Sequence, residues 1–158
     1  MFPNLSSGDM WVMVLNMVIA AFLGGLIGLE REAGHRPAGL RTTMLVCVGS
    51  ALFTILSIHA FPSAGDVSNA RVAAQIVSGI GFLGAGTVWR AQDQVKGLTT
   101  AACMWVAAAI GMAVGSGLGL LALAATLITL FILNVMQRVE RRYFPHDSKT
   151  AASNHKQS

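Results

Sequence analysis

The chain has 158 residues, of which 54% are hydrophobic and 11% charged, with a formal net charge of +4. Soluble domains carry about 25% charged residues, so a chain this long with so little charge is excluded from the ordinary soluble class and belongs in lipid. Gly (17) far outnumbers Pro (4), which argues against a disordered Gly/Pro-rich chain and suits membrane helices, where glycine is common.

The opening "MFPNLSSGDM" contains no Lys or Arg. A secretory signal needs a positive n-region, so no cleaved signal is expected and the first apolar run stays in the membrane. A crossing needs about 20 mainly apolar residues. Five runs qualify: residues 10–29, 44–60, 72–89, 98–114 and 118–136. Lipid offers backbone amides no partners, so each run is read as a helix; none alternates as a barrel strand does. The expected fold is all-α, a polytopic bundle of five spans over residues 1–137. A basic cytoplasmic tail, 138–158, follows, small and polar beyond Pro145 and expected to be disordered.

The basic residues set a direction. Arg31, Arg36 and Arg41 lie between spans one and two, Arg90 and Lys96 between spans three and four, and the remaining Lys and Arg, apart from Arg71, in the tail. Alternating spans put all of these on one side. The N-terminus is therefore expected outside and the C-terminus in the cytoplasm. The net positive charge is a topology signal and not a nucleic-acid footprint, since no aromatic residues interleave the basic patch.

Span one carries Gly24 and Gly28, four residues apart. In lipid, small residues let helix backbones approach. Glu30, Arg31 and Arg41 follow at the cytoplasmic ends of spans one and two, where a Glu–Arg pair would pin the hairpin or form a gate. Cys47 and Cys103 sit in apolar runs and read as small buried hydrophobes. Arg71 pairs with Asp66 or snorkels to the outer interface.

Span three contains "SGIGFLGAGTVW", a G-x-G-x-x-G spacing. A dinucleotide site requires a preceding strand and an acid about 20 residues on, and no acid lies between Asp93 and Glu140. Gly79, Gly81, Gly84 and Gly86 are therefore assigned to helix packing, with span three as a central helix. A second reading is a helix broken near these glycines, since discontinuous helices form solute sites in transporters. Gln75 lies on the same span. Span four repeats the small-residue row at Gly111 and Gly115.

Two stretches, "AGLRTTMLVCVGSAL" and "VKGLTTAACMWVAAAI", each lead from a basic loop through Gly-Leu and a Thr pair into an outward-running helix. They suggest a parallel repeat with the Thr pairs, including Thr99 and Thr100, as N-caps. Two such N-termini beside Arg36, Arg41 and Lys96 would form a pocket for phosphate or carboxylate. No Ser, Cys or His constellation resembles a nucleophile with its base, so no catalytic, cofactor or metal residues are assigned. No acid lies mid-span, which counts against a dedicated divalent-cation pump.

The blocks "GGLIGLEREAGHRPAGLRTTMLVCVGSALF", "RVAAQIVSGIGFLGAGTV" and "VKGLTTAACMWVAAAIGMAVG" closely resemble the MgtC/SapB family of bacterial inner-membrane proteins, over residues 21–117. The resemblance places the family's polar positions on Glu30, Arg31, Arg41, Arg71, Gln75, Lys96, Thr99 and Thr100. It implies a regulator linked to magnesium limitation or membrane-stress adaptation, acting on another membrane complex such as the membrane sector of ATP synthase, with a magnesium-related transporter as the alternative; the small-residue rows add the expectation of a homo-oligomer. Some members add a cytoplasmic domain after the last span. The chain is expected to be a short form without it.

Overall fold

The computed structural model describes residues 6–60, 65–91 and 94–143. Five helices follow in order: α1 (Ser7–Ala33), α2 (Leu40–Ala60), α3 (Gly65–Gly86), α4 (Leu98–Gly115) and α5 (Gly119–Tyr143). Between α3 and α4 lies a short antiparallel hairpin of β1 (Trp89–Ala91) and β2 (Gln94–Lys96). Four helices are long and apolar enough to cross a membrane; the apolar stretch of the fifth, Ala70–Gly86, is shorter. The expected all-helical polytopic bundle is what the chain forms.

The interior is made of small side chains. Ala20, Cys47, Ala51, Ala107 and Ala122 are fully buried, with Leu23, Ile27, Ile110 and Val114 between them. The largest apolar side chains face outward: Leu120 is 84% exposed and Phe82 82%. A soluble protein does the reverse. In lipid the tails solvate Leu and Phe as well as a core would, so close backbone approach decides the interior. Some buried hydroxyls are satisfied by nearby carbonyls of their own segment: Thr126 donates to the Ala122 carbonyl at 2.8 Å and Thr43 to Gly39 at 3.0 Å.

The glycine rows fix helix directions. A Cβ on Gly24 would lie 2.8 Å from the Cβ of Cys47, and one on Gly28 would lie 2.6 Å from the Leu40 Cα. Later residues of α1 thus meet earlier residues of α2, and the two are antiparallel. A Cβ on Gly111 would lie 2.9 Å from Ser50, and one on Gly115 would lie 2.6 Å from the Ala51 carbonyl oxygen. Here both numbers rise together, so α2 and α4 are parallel. Gly84 abuts Ala101, while Ile80 and Ile76 cluster with Met104 and Ala108, as antiparallel α3 and α4 require. α2 is therefore gripped from both sides by glycine rows, and the central helix is α4, which packs against all four others, and not α3 as expected. Among the described residues, nothing lies within 4 Å of where a Cβ would stand on Gly79, Gly81 or Gly86. Each hairpin nonetheless sets a glycine of its first helix (Gly28, Gly84) against the opening turn of its second.

Further differences concern helix ends. α1 starts earlier than the apolar run because Ser6 and Asp9 form a capping box, with Asp9 N–H donating to Ser6 Oγ at 3.2 Å. It stops through a Schellman closure in which the Arg36 N–H reaches the Arg31 carbonyl at 3.0 Å and His35 takes a left-handed φ of 51°. α4 stops the same way at Gly117, φ 80°. α3 runs unbroken through Gly81 and Gly84, so the broken third helix is corrected: glycine lowers helix propensity by about 1 kcal/mol, too little to open a helix in lipid, where a freed amide costs more. Span three nevertheless ends at Gly86, not Trp89, because Trp89 pairs with Lys96 in the hairpin. The side chain of Asp66 and the tail beyond Tyr143 lie outside the described residues.

Candidate functional site

The Thr pairs do not cap their helices. α4 is capped by Gly97, which has a left-handed φ of 93° and makes no side-chain capping bond. Thr99 and Thr100 lie inside the first turn. α2 begins at Leu40, whose N–H donates to Glu32 Oε2 at 3.1 Å. A carboxylate thus serves the N-terminus of α2 from the end of α1, where the helix dipole favours it. Glu32 is the pin of the hairpin, a role expected of Glu30 with an arginine. Only Gly39 leaves room, since a Cβ there would overlap the Glu32 carboxylate. Glu32→Gln should lower unfolding stability by about 0.5–1 kcal/mol, read by denaturant titration in detergent; no change would deny Glu32 this capping role.

Arg31 sits on the last turn of α1, yet it is only 4% exposed. It reaches across the bundle, and its Nη2 donates to Thr100 Oγ1 on α4 at 2.7 Å. A buried charged hydrogen bond contributes about 1.5–3 kcal/mol. Among the described residues, Arg31 Nε and Glu30 Oε2 are both buried without a hydrogen-bond partner.

Both residues line a cavity of about 670 Å³ at the cationic end of the bundle. The α1–α2 loop contributes His35 and Arg36, the hairpin Trp89 and Lys96, the start of α4 Thr99 and Thr100, and α5 an apolar wall of Ile132, Leu133 and Met136. Of the polar positions singled out in the sequence, Glu30, Arg31, Lys96, Thr99 and Thr100 are brought together here. Arg41 is exposed on the first turn of α2 and outside the cavity lining. Arg71 and Gln75 line a separate, larger groove of about 1050 Å³ between α2 and α3, together with Gly49 and Gly79. The residue that sequence reasoning missed is Glu32. Its signal was an acid eight residues ahead of a helix start that lacks any Ser, Thr, Asp or Asn cap of its own.

A helical bundle with its large apolar residues outward and a polar cavity at one end is a multi-pass membrane protein. Residues 17–142 match the family model for the MgtC family, and the chain belongs to that family. It is 40% identical over 134 residues to YhiD of Escherichia coli, whose name proposes magnesium transport, covering 82% of this chain and 62% of that protein. It is 52% identical over 116 residues to Protein MgtC of Brucella abortus, covering 73% of this chain and 46% of the relative. With Protein MgtC of Salmonella typhimurium it shares 50% identity over 121 residues, covering 77% and 51%. The chain thus spans about half to three fifths of the length of these curated relatives. No solved structure matches it.

Proposed function

We propose that the chain is a non-enzymatic regulator in the bacterial inner membrane, tied to magnesium limitation or membrane stress. It acts through helix contacts with a second copy of itself or with a larger membrane complex, for which the membrane sector of ATP synthase is one candidate by family resemblance. The observation that carries this is the open glycine face of α3. Gly24, Gly28, Gly111 and Gly115 have their partners inside the chain, whereas Gly79 and Gly86, seven residues apart and so on one face of α3, have none within 4 Å among the described residues. Gly49 across the groove on α2 is equally open. Small-residue faces are where membrane helices approach one another, and this one is met by no other described residue of the chain. The cationic cavity end faces the cytoplasm in this reading, with the N-terminus outside.

The magnesium link rests on family membership and on the name of YhiD. That name also supports a second reading, transport, for which Arg71 and Gln75 along the α2–α3 groove are the polar lining. Two measurements separate the readings. The regulator reading expects purified chain in liposomes to pass no more Mg²⁺ than empty liposomes. It also expects Gly79→Leu combined with Gly86→Leu to abolish growth support in low magnesium at unchanged membrane abundance. Saturable Mg²⁺ flux, lost on Gln75→Leu, establishes transport instead.

A further inference from the structure

The cavity at the cationic end has two opposite demands built into it. Arg31 is 4% exposed, fixed by Thr100, and keeps a buried Nε donor with no acceptor among the described residues. Glu30 keeps a buried carboxylate oxygen, Oε2, with no donor among them. Leaving either unsatisfied costs about 1–3 kcal/mol, more for a charged group. They line the same cavity and do not satisfy each other. A fitting ligand therefore presents an anionic acceptor to Arg31 and a cationic donor to Glu30.

The surroundings sharpen this. The anionic half has help: Lys96 and Arg36 also line the cavity, and the start of α4 is there, where Gly97 supplies no side-chain cap and the first turn's N–H groups point outward. The remaining wall is not polar. Ile132 and Met136 on α5 are 52% and 55% exposed, and Trp89 is 48% exposed, as side chains at the lipid boundary are. A charged head in the cavity would continue directly into apolar surface running along α5.

We propose that this cavity binds the head group of a zwitterionic aminophospholipid, a phosphoethanolamine ester. The phosphate meets the Arg31 guanidinium, Lys96 and the α4 N-terminus; the ammonium meets Glu30; the acyl chains lie along Ile132 and Met136. Basic pockets between membrane helices are known hosts for lipid head groups, and Glu30 selects among them, because a phosphatidylglycerol head offers a carboxylate only neutral hydroxyls, whereas phosphoethanolamine offers an ammonium. The site is independent of the α3 face and of the regulator reading.

Native mass spectrometry of the detergent-purified chain tests it, with added phosphatidylethanolamine, phosphatidylglycerol, or soluble phosphoethanolamine. Wild type is expected to retain phosphatidylethanolamine at least about tenfold over phosphatidylglycerol (about 1.4 kcal/mol). Glu30→Gln should erase that preference while retaining both lipids. Arg31→Lys, and independently the exposed Lys96→Gln, which leaves the core untouched, should weaken retention of both. Arg71→Gln, in the other groove, should change nothing. Equal retention of the two lipids by wild type overturns the proposal. So does preference unaltered in Glu30→Gln, or retention of both lipids unaltered in Lys96→Gln. Displacement of the lipid by equimolar soluble phosphoethanolamine assigns the site to a soluble phosphate ester and overturns the lipid assignment.

Discussion

Gly111→Leu is expected to prevent the chain from folding, whereas Gly79→Leu should leave the single chain as stable as before or more so. The two glycines lie in helices of similar composition, and their surroundings decide the sign. A Cβ on Gly111 would overlap the carbonyl oxygen of Cys47 and stand 2.9 Å from the Ser50 side chain. Backbone cannot step aside there without separating α2 from α4. Each overpacked side chain in a filled core costs about 1–3 kcal/mol, and Leu adds three carbons beyond that Cβ. Gly79 meets nothing within 4 Å, and Leu is a better helix former than Gly by up to about 1 kcal/mol. Unfolding in detergent, followed by circular dichroism, separates the cases. A Gly111→Leu chain that unfolds like wild type would mean that α2 and α4 are not packed as described.

Gly97→Ala is the second change with a large expected effect. Gly97 caps α4 at φ 93°, a region that costs an L-residue about 1–2 kcal/mol. Its missing side chain also makes room for the carbonyl of Thr87, which a Cβ would overlap. The hairpin and the start of α4 are held against the end of α3 at this point. Gly97→Ala should therefore lower unfolding stability by at least that backbone cost and shift the fluorescence of Trp89, which lies in the hairpin, toward the solvent-exposed value. A variant with unaltered stability would show that the left-handed cap is not required.

The spans and the charged end were legible because lipid tolerates neither free amides nor unpaired charge, so hydrophobic runs and basic loops report topology directly. The rows Gly24–Gly28 and Gly111–Gly115 were legible too, since their spacing is a single face. Their target was harder to see. The face of α2 that receives them is Thr43, Cys47, Ser50, Ala51 and Thr54, a small-residue row whose polar members disguise it as ordinary helix. The end of α3 was not legible: Trp89 suits an apolar helix and a strand equally, and only its pairing with Lys96 selects the latter. At the site, Glu30 and Arg31 could be named as one polar group and Lys96, Thr99 and Thr100 as another from their place beside basic loops; the structure joins the two in one cavity. What no pattern announced was the reach of Arg31 across the bundle to Thr100, 69 residues away in sequence, because such a contact depends on α1 and α4 both flanking α2.

Whether the open face of α3 is an interface is tested most directly by photo-crosslinking in native membranes. A photoreactive side chain at Phe82 on α3 and another at Leu120 on α5 would be compared, because the two positions are equally exposed, 82% and 84%. The account predicts a discrete protein adduct of defined mass from position 82, lost when Gly79 and Gly86 are replaced by Leu, and only lipid adducts from position 120. Lipid adducts alone from position 82, matching those from position 120, would contradict it.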